Sequence, residues 1–129
     1  MKSVVFSGSV RNYPAMQPWA KTLRAKGVVV ELPSMTIKPE DFARLAVDEQ
    51  RERKLGFITD HNQRIDATDV LFIFNPGGYV GSSVTLEIGY ALAKSKKIYA
   101  LSPDAETGRD VVYAGYCSTP EELIAILAS

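Results

Sequence analysis

Residues 70–74, Val-Leu-Phe-Ile-Phe, form an unbroken run of large apolar side chains. A strand with one face in water alternates apolar and polar residues, so a run with no polar position predicts a strand covered on both faces. Such strands belong to parallel sheets sandwiched between helices, and the rest of the chain follows that pattern. Residues 2–6 end in Val4-Val5-Phe6, a second β-branched run broken by Ser7-Gly8-Ser9. Residues 15–26 carry Met16, Trp19, Ala20 and Leu23 at helical spacing, with Gly27 in the usual stop position. Val28-Val29-Val30 reads as strand two, residues 39–55 and 60–67 as helices, residues 84–94 as a helix and residues 97–101 as the next strand. Residues 111–116 read as a weaker edge strand. Thr119-Pro120-Glu121-Glu122 reads as a capping box opening a last helix. Strands alternating with helices predict a flavodoxin-like three-layer sandwich with about five parallel strands. At 129 residues, one domain spanning 1–129 is expected.

Composition excludes several classes of function. Fifteen Lys and Arg balance fifteen Asp and Glu, so the basic excess of a nucleic-acid binder is absent. Cys117 is the single cysteine and His61 the single histidine, so neither a disulfide framework nor a zinc cluster is expected. The apolar run near the N-terminus is too short for a signal peptide or a membrane span, which makes the cytoplasm the expected compartment.

In open parallel sheets, ligands bind beyond the carboxyl ends of the strands, near the point where strand order reverses. This rule gathers Ser7, Gly8, Ser9, Arg11 and Asn12, the segment from Asn75 to Ser83, and Ser102, Pro103 and Asp104 at one edge. Helices return antiparallel, so Asp60, His61 and Glu87, near helix starts, share that edge. Asp69 opens the central strand at the opposite edge and reads as structural, a cap on the preceding turn. In Pro76-Gly77-Gly78-Tyr79-Val80-Gly81-Ser82-Ser83 the glycines allow close backbone approach, and the helix that follows offers free N–H groups to an anion. The segment matches neither the P-loop nor the dinucleotide fingerprint, and a plain strand-to-helix connection is the competing reading. Ser9 and Arg11 suit a phosphate or a sugar hydroxyl, or a solvated turn. Glu87 falls at the margin of a stripe formed by Val84, Ile88, Ala91 and Leu92. Burial would raise its pKa and the helix N-terminus would lower it. The alternative is a boundary glutamate paired with a cation such as Lys94.

Residues 69–74, the Gly-rich turn, Glu87-Ile88-Gly89-Tyr90-Ala91 and Lys96-Lys97-Ile98 together resemble the nucleoside 2-deoxyribosyltransferase superfamily, including its 2′-deoxynucleoside 5′-monophosphate N-glycosidase branch. The resemblance implies that Glu87 is a nucleophile. It also implies that Gly8, Ser9 and Arg11 match the Gly-Ser-x-Arg phosphate turn of the hydrolase branch. The chain departs from the family at two places. Transferases carry an aspartate six residues before the nucleophile, where this chain has Gly81; another family aspartate falls at His61, with Asp60 beside it. Pro76-Gly77-Gly78-Tyr79 also resembles the motif of cytokinin-type phosphoribohydrolases, with the spacing to Glu87 three residues too long.

Two functions follow as expectations. The first is an enzyme that cleaves or exchanges the N-glycosidic bond of a nucleoside or its 5′-monophosphate. Glu87 attacks, Asp60 or His61 assists, and the substrate is held by Ser7, Gly8, Ser9, Arg11, Asn75, Gly77, Gly78, Tyr79, Gly81, Ser82 and Ser83, without metal or cofactor. The second is a non-catalytic nucleotide-binding module on the same fold. The resemblance further implies a homo-oligomer with sites completed across subunits, for which Tyr79, Val80 and Tyr113 are candidate contacts.

Overall fold

A computed structural model describes residues 1–34 and 37–129. Five strands, β1 (Val4–Ser7), β2 (Val30–Glu31), β3 (Val70–Ile73), β4 (Lys97–Ala100) and β5 (Gly115–Tyr116), form one sheet in the order β2-β1-β3-β4-β5. Every pairing is parallel, with Val4 beside Val70 and Val70 beside Lys97. This is the flavodoxin-like order, and its reversal lies between β1 and β3. The helices are α1 (Tyr13–Ala25), α2 (Pro39–Ala43), α3 (Val47–Ala67), α4 (Ser82–Ala93), α5 (Thr107–Asp110) and α6 (Pro120–Ala128).

The central strands bury both faces by period-two alternation. Val4, Phe6, Phe72 and Phe74 meet Met16 and Leu23 of α1 and Leu123 and Leu127 of α6. Val5, Leu71 and Ile73 meet Ile65 of α3 and Ile88 and Ala91 of α4. Gly27, at φ +85°, ends α1 as expected: its N–H donates to Arg24 O and that of Val28 donates to Leu23 O, the two bonds of a Schellman cap.

Several expectations shift. The helix expected over residues 39–55 breaks after α2, and α3 then runs unbroken through residues 56–59 to Ala67. Ala46 is extended and caps α3, Asp48 and Glu49 favour the new N-terminus, and the Gln50 amide donates to Leu45 O. Gly56 is tolerated inside α3. Strand two is confined to Val30–Glu31, and Val29 is exposed. The edge strand is only Gly115–Tyr116, because residues 107–113 fold back around Asp104. The cap of α6 forms on Thr119 Oγ1, but Glu122 reaches Ser118 rather than Thr119. Asp69 clasps the start of β1, accepting from Ser3 N–H at 2.8 Å and Ser3 Oγ at 3.1 Å, rather than capping the turn before it. Leu92, assigned to the buried stripe of α4, is exposed. Among the described residues no helix is long and apolar enough to cross a membrane.

Candidate active site

Ser7 is the last residue of β1 and fully buried. The C-terminal half of α3 brings His61 Nε2 to 2.8 Å from Ser7 Oγ. The second turn of α4 brings Glu87 Oε1 to 3.4 Å from the same nitrogen. Three distant segments therefore converge at the reversal between β1 and β3. Both ionisable groups are desolvated, the His61 side chain being 7% and the Glu87 side chain 12% exposed.

Burial dominates both titrations. It depresses His61 to about 4, with the Arg64 charge pushing the same way and Asp60 opposing. It lifts Glu87 to about 7, with the Ser7 hydroxyl and the Lys54 charge pulling partly back. Each shift favours the neutral form, so their 3.4 Å approach is not a fixed ion pair at neutral pH. Lys94, the alternative partner for Glu87, lies instead 3.8 Å from Asp66.

His61 and Glu87 border a cavity of about 400 Å³. One wall comes from Gly8, Ser9 and Val10 with Tyr79, Gly81, Ser82 and Ser83. Gly81 precedes α4 without a side-chain cap, which leaves the first-turn N–H groups of α4 without intrahelical acceptors. The other wall is mainly apolar and comes from the segment between β2 and α2, from α2 itself and from the middle of α3: Pro33, Ile37, Phe42, Phe57 and Ile58, with Lys54. None of these wall residues was assigned to the site from the sequence; Phe42 reads there as part of a helix's buried stripe and Pro33 as the end of strand two. The available signal was spacing, since Lys54, Ile58 and His61 fall on one helical face.

The remaining candidates divide into rim and frame. Asp60 reaches the cavity, with Arg64 Nε donating to its carboxylate at 3.2 Å. Arg11 does not line the cavity; its guanidinium stacks 4.5 Å from the centroid of the exposed Tyr79 ring. Asn75 frames the turn: its amide donates to Ser102 O at 2.9 Å and its carbonyl accepts from Ser102 N–H at 3.0 Å. Gly77 and Gly78 hold positive φ, and a Cβ on Gly78 would meet Pro103 O at 2.5 Å. Of the proposed contact residues, Tyr79 is exposed. Val80 and Tyr113 are half-buried against the core, and the Tyr113 hydroxyl donates to Asp104. No cluster of three or more His, Cys, Asp or Glu suited to a metal exists among the described residues.

No family model and no curated protein sequence matches the chain. Solved structures do. A conserved protein from Enterococcus faecalis V583 superposes with a TM-score of 0.66 at 17% identity, covering 99% of this chain and 98% of that one. The Clostridium botulinum CMP N-glycosidase BcmB superposes with a TM-score of 0.54 at 18% identity, covering 98% of each chain. The chain shares its fold with a CMP N-glycosidase. The alignment runs end to end, so the likeness covers the overall fold rather than the sheet alone.

Proposed function

We propose that this protein cleaves the N-glycosidic bond of a nucleoside 5′-monophosphate, with Glu87 as nucleophile. The observation that carries this reading is a desolvated carboxylate facing a cavity with one hydroxyl- and N–H-rich wall and one apolar wall. A nucleotide has matching parts: an anionic end, a flat base, and C1′ between them. The volume falls in the range of small-molecule sites. The overall likeness to a CMP N-glycosidase supports the same class of reaction.

In the proposed reaction a Glu87 carboxylate oxygen bonds to C1′ as the bond to the base breaks through an oxocarbenium-like state. Water then cleaves the glycosyl ester, releasing the sugar phosphate and restoring the carboxylate. His61 is a positioning residue. Anchored on Ser7, its imidazole orients Glu87, and because it stays neutral it does not quench the nucleophile with a positive charge. Ser9, Ser82, Ser83 and the start of α4 hold the 5′ phosphate, with Arg11 at the rim. The exposed Tyr79 supports a second copy of the chain closing the open side, a homo-oligomer that light scattering tests directly; a clean 14.2 kDa species would reject it.

The deciding experiment incubates the protein with cytidine, uridine, adenosine and guanosine 5′-monophosphates, their deoxy forms and the free nucleosides, and separates products by chromatography. Free base with sugar 5-phosphate is expected. Exchange with an added second base would convert the reading to a transferase. Tight binding without product from any substrate would leave a nucleotide-binding module.

A further inference from the structure

The apolar wall of the cavity has no part in the chemistry described so far. Phe42 of α2 and Phe57 and Ile58 of α3 line it, and flat aromatic faces are suited to stacking with a base. Lys54 stands among them, its Nζ 5.5 Å from the Phe42 ring centroid. It lies seven residues before His61 on the same face of α3, which places it about 10 Å further out along the helix. Lys54 is the only Lys or Arg lining the cavity among the described residues. No carboxylate lies within ion-pair distance of it there. Its charge nonetheless reaches the floor, being one of the influences that lower Glu87.

N-glycosidic cleavage sends the bonding electron pair out with the base, so the departing ring gains negative charge unless a proton or a cation meets it. Three other groups on the cavity are poorly suited. His61 is held neutral, Asp60 accepts from Arg64, and the Tyr79 ring is covered by the Arg11 guanidinium. We propose that Lys54 is the catalytic residue that receives the leaving base, donating from Nζ to an acceptor on the ring edge while the ring stacks on the Phe42–Phe57 wall. As the C1′–N bond breaks and the bond from Glu87 to C1′ forms, the Lys54 proton passes to the base. The exposed amine then regains a proton from solvent when water cleaves the ester. The substrate class is therefore a base with a carbonyl oxygen or ring nitrogen facing Lys54. This inference rests on the N-glycosidase reading.

The test is Lys54→Met, which keeps the stem and removes the charge, assayed on two leaving groups. One is the nucleoside 5′-monophosphate that the wild type cleaves; the other is the matching 4-nitrophenyl riboside 5-phosphate, whose leaving group departs as a stable anion. The expected result is a kcat loss of about 10- to 100-fold on the nucleotide, as for loss of a general acid. Turnover of the 4-nitrophenyl substrate should change by less than about threefold, and Lys54→Arg should not restore nucleotide cleavage, because a guanidinium does not give up its proton. Equal losses on both substrates, or none on either, overturn the role. A parallel binding arm uses CMP and ribose 5-phosphate: Lys54→Met should weaken only CMP. If the wild type binds CMP but cleaves no nucleotide, the glycosidase reading falls and this arm alone judges contact with the base. Unchanged CMP affinity then overturns that contact as well.

Discussion

Glu87 and Asp104 are two carboxylates near the same edge of the sheet, and their surroundings are opposite. For Asp104, desolvation pushes the pKa up, but Arg109, Glu106 N–H and Tyr113 together outweigh it and hold the group below the ordinary carboxylate value. Its oxygens accept from Arg109 Nε at 2.8 Å, Arg109 Nη2 at 3.0 Å, Glu106 N–H at 2.9 Å and Tyr113 Oη at 2.9 Å. That carboxylate is saturated and serves to fold residues 104–113. Among the described residues Glu87 has no cation in contact, only the neutral His61 imidazole and the Ser7 hydroxyl, so its own desolvation wins and leaves it at about 7. A buried charge that is fully paired builds structure; one left short of partners retains reactivity for a substrate.

Exchanging each acid for its amide tests the contrast most strongly. Glu87→Gln should lower kcat by more than about 1,000-fold, as expected for loss of a nucleophile. Its stability at pH 8 should not fall, because the variant no longer carries an uncompensated buried carboxylate. Asp104→Asn should do the reverse, losing about 3 kcal/mol in urea unfolding by leaving Arg109 without its partner. Turnover per folded molecule should change by less than about tenfold. Comparable activity losses in the two variants would erase the distinction.

The pH dependence of stability probes the same pair. His61 is lowered from 6.5 to about 4, so its contribution is complete above 6.5 and is lost as the pH falls toward 4. Glu87 is raised from 4.5 to about 7, so its contribution is complete below 4.5 and is lost as the pH rises through 7. Between about 4.5 and 6.5 the two slopes oppose each other, and the wild type should be nearly flat there. Glu87→Gln should unmask a rise of about 3 kcal/mol between pH 4 and 6.5, and His61→Gln a fall of similar size between 4.5 and 7. Asp69 and Asp104, both lowered from 3.8, act below this window. Flat profiles in both variants would mean that neither group carries its shift.

Arg11 distinguishes the rim from the floor. Stacked on Tyr79 outside the cavity lining, it is positioned to swing onto a 5′ phosphate. Arg11→Ala should weaken monophosphate binding by about 1.5–3 kcal/mol, the worth of a charge-assisted hydrogen bond, and leave nucleoside binding unchanged. Titration calorimetry with CMP and cytidine reads both, and equal losses would remove Arg11 from phosphate recognition.

The fold was legible in the sequence because parallel strands buried on both faces leave continuous apolar runs, as in Val4-Val5-Phe6 and residues 70–74. The break before α3 and the shortness of β5 were not legible. They depend on Gln50 reaching Leu45 O and on Asp104 gathering Arg109 and Tyr113, contacts made across turns. The carboxyl-end rule brought Ser9, Asp60, His61, Tyr79, Glu87 and residues 81–83 to one edge, and the structure gathers them around one cavity, with Asp60 and His61 well inside α3 rather than near a helix start. Phe42, Lys54, Phe57 and Ile58 escaped because an apolar stripe on a helix reads as core whether it faces a sheet or a cavity. Asn75, Gly77 and Gly78 carry a binding signal in the sequence, and in the structure they also shape the turn, through Ser102 and Pro103.

Gly81 is the mildest point of comparison within that turn. Gly78 is compelled by its positive φ and by Pro103; Gly81 is not, since its φ is −84° and an added Cβ would meet only Tyr79 Oη at 3.5 Å, an ordinary contact. Gly81 is the N-cap of α4, a position where Asp is among the preferred residues and Gly costs a few tenths of a kcal/mol by comparison. Gly81→Asp should therefore raise stability slightly, by about 0.5 kcal/mol or less. The same carboxylate would stand where the proposed 5′ phosphate meets the start of α4. Monophosphate affinity should fall by about tenfold, or 1.4 kcal/mol, while nucleoside affinity holds. Thermal unfolding and paired CMP and cytidine titrations separate the two effects. A destabilised variant would mean that the fold itself requires glycine at position 81. A stable variant with undiminished CMP affinity would move the phosphate away from α4.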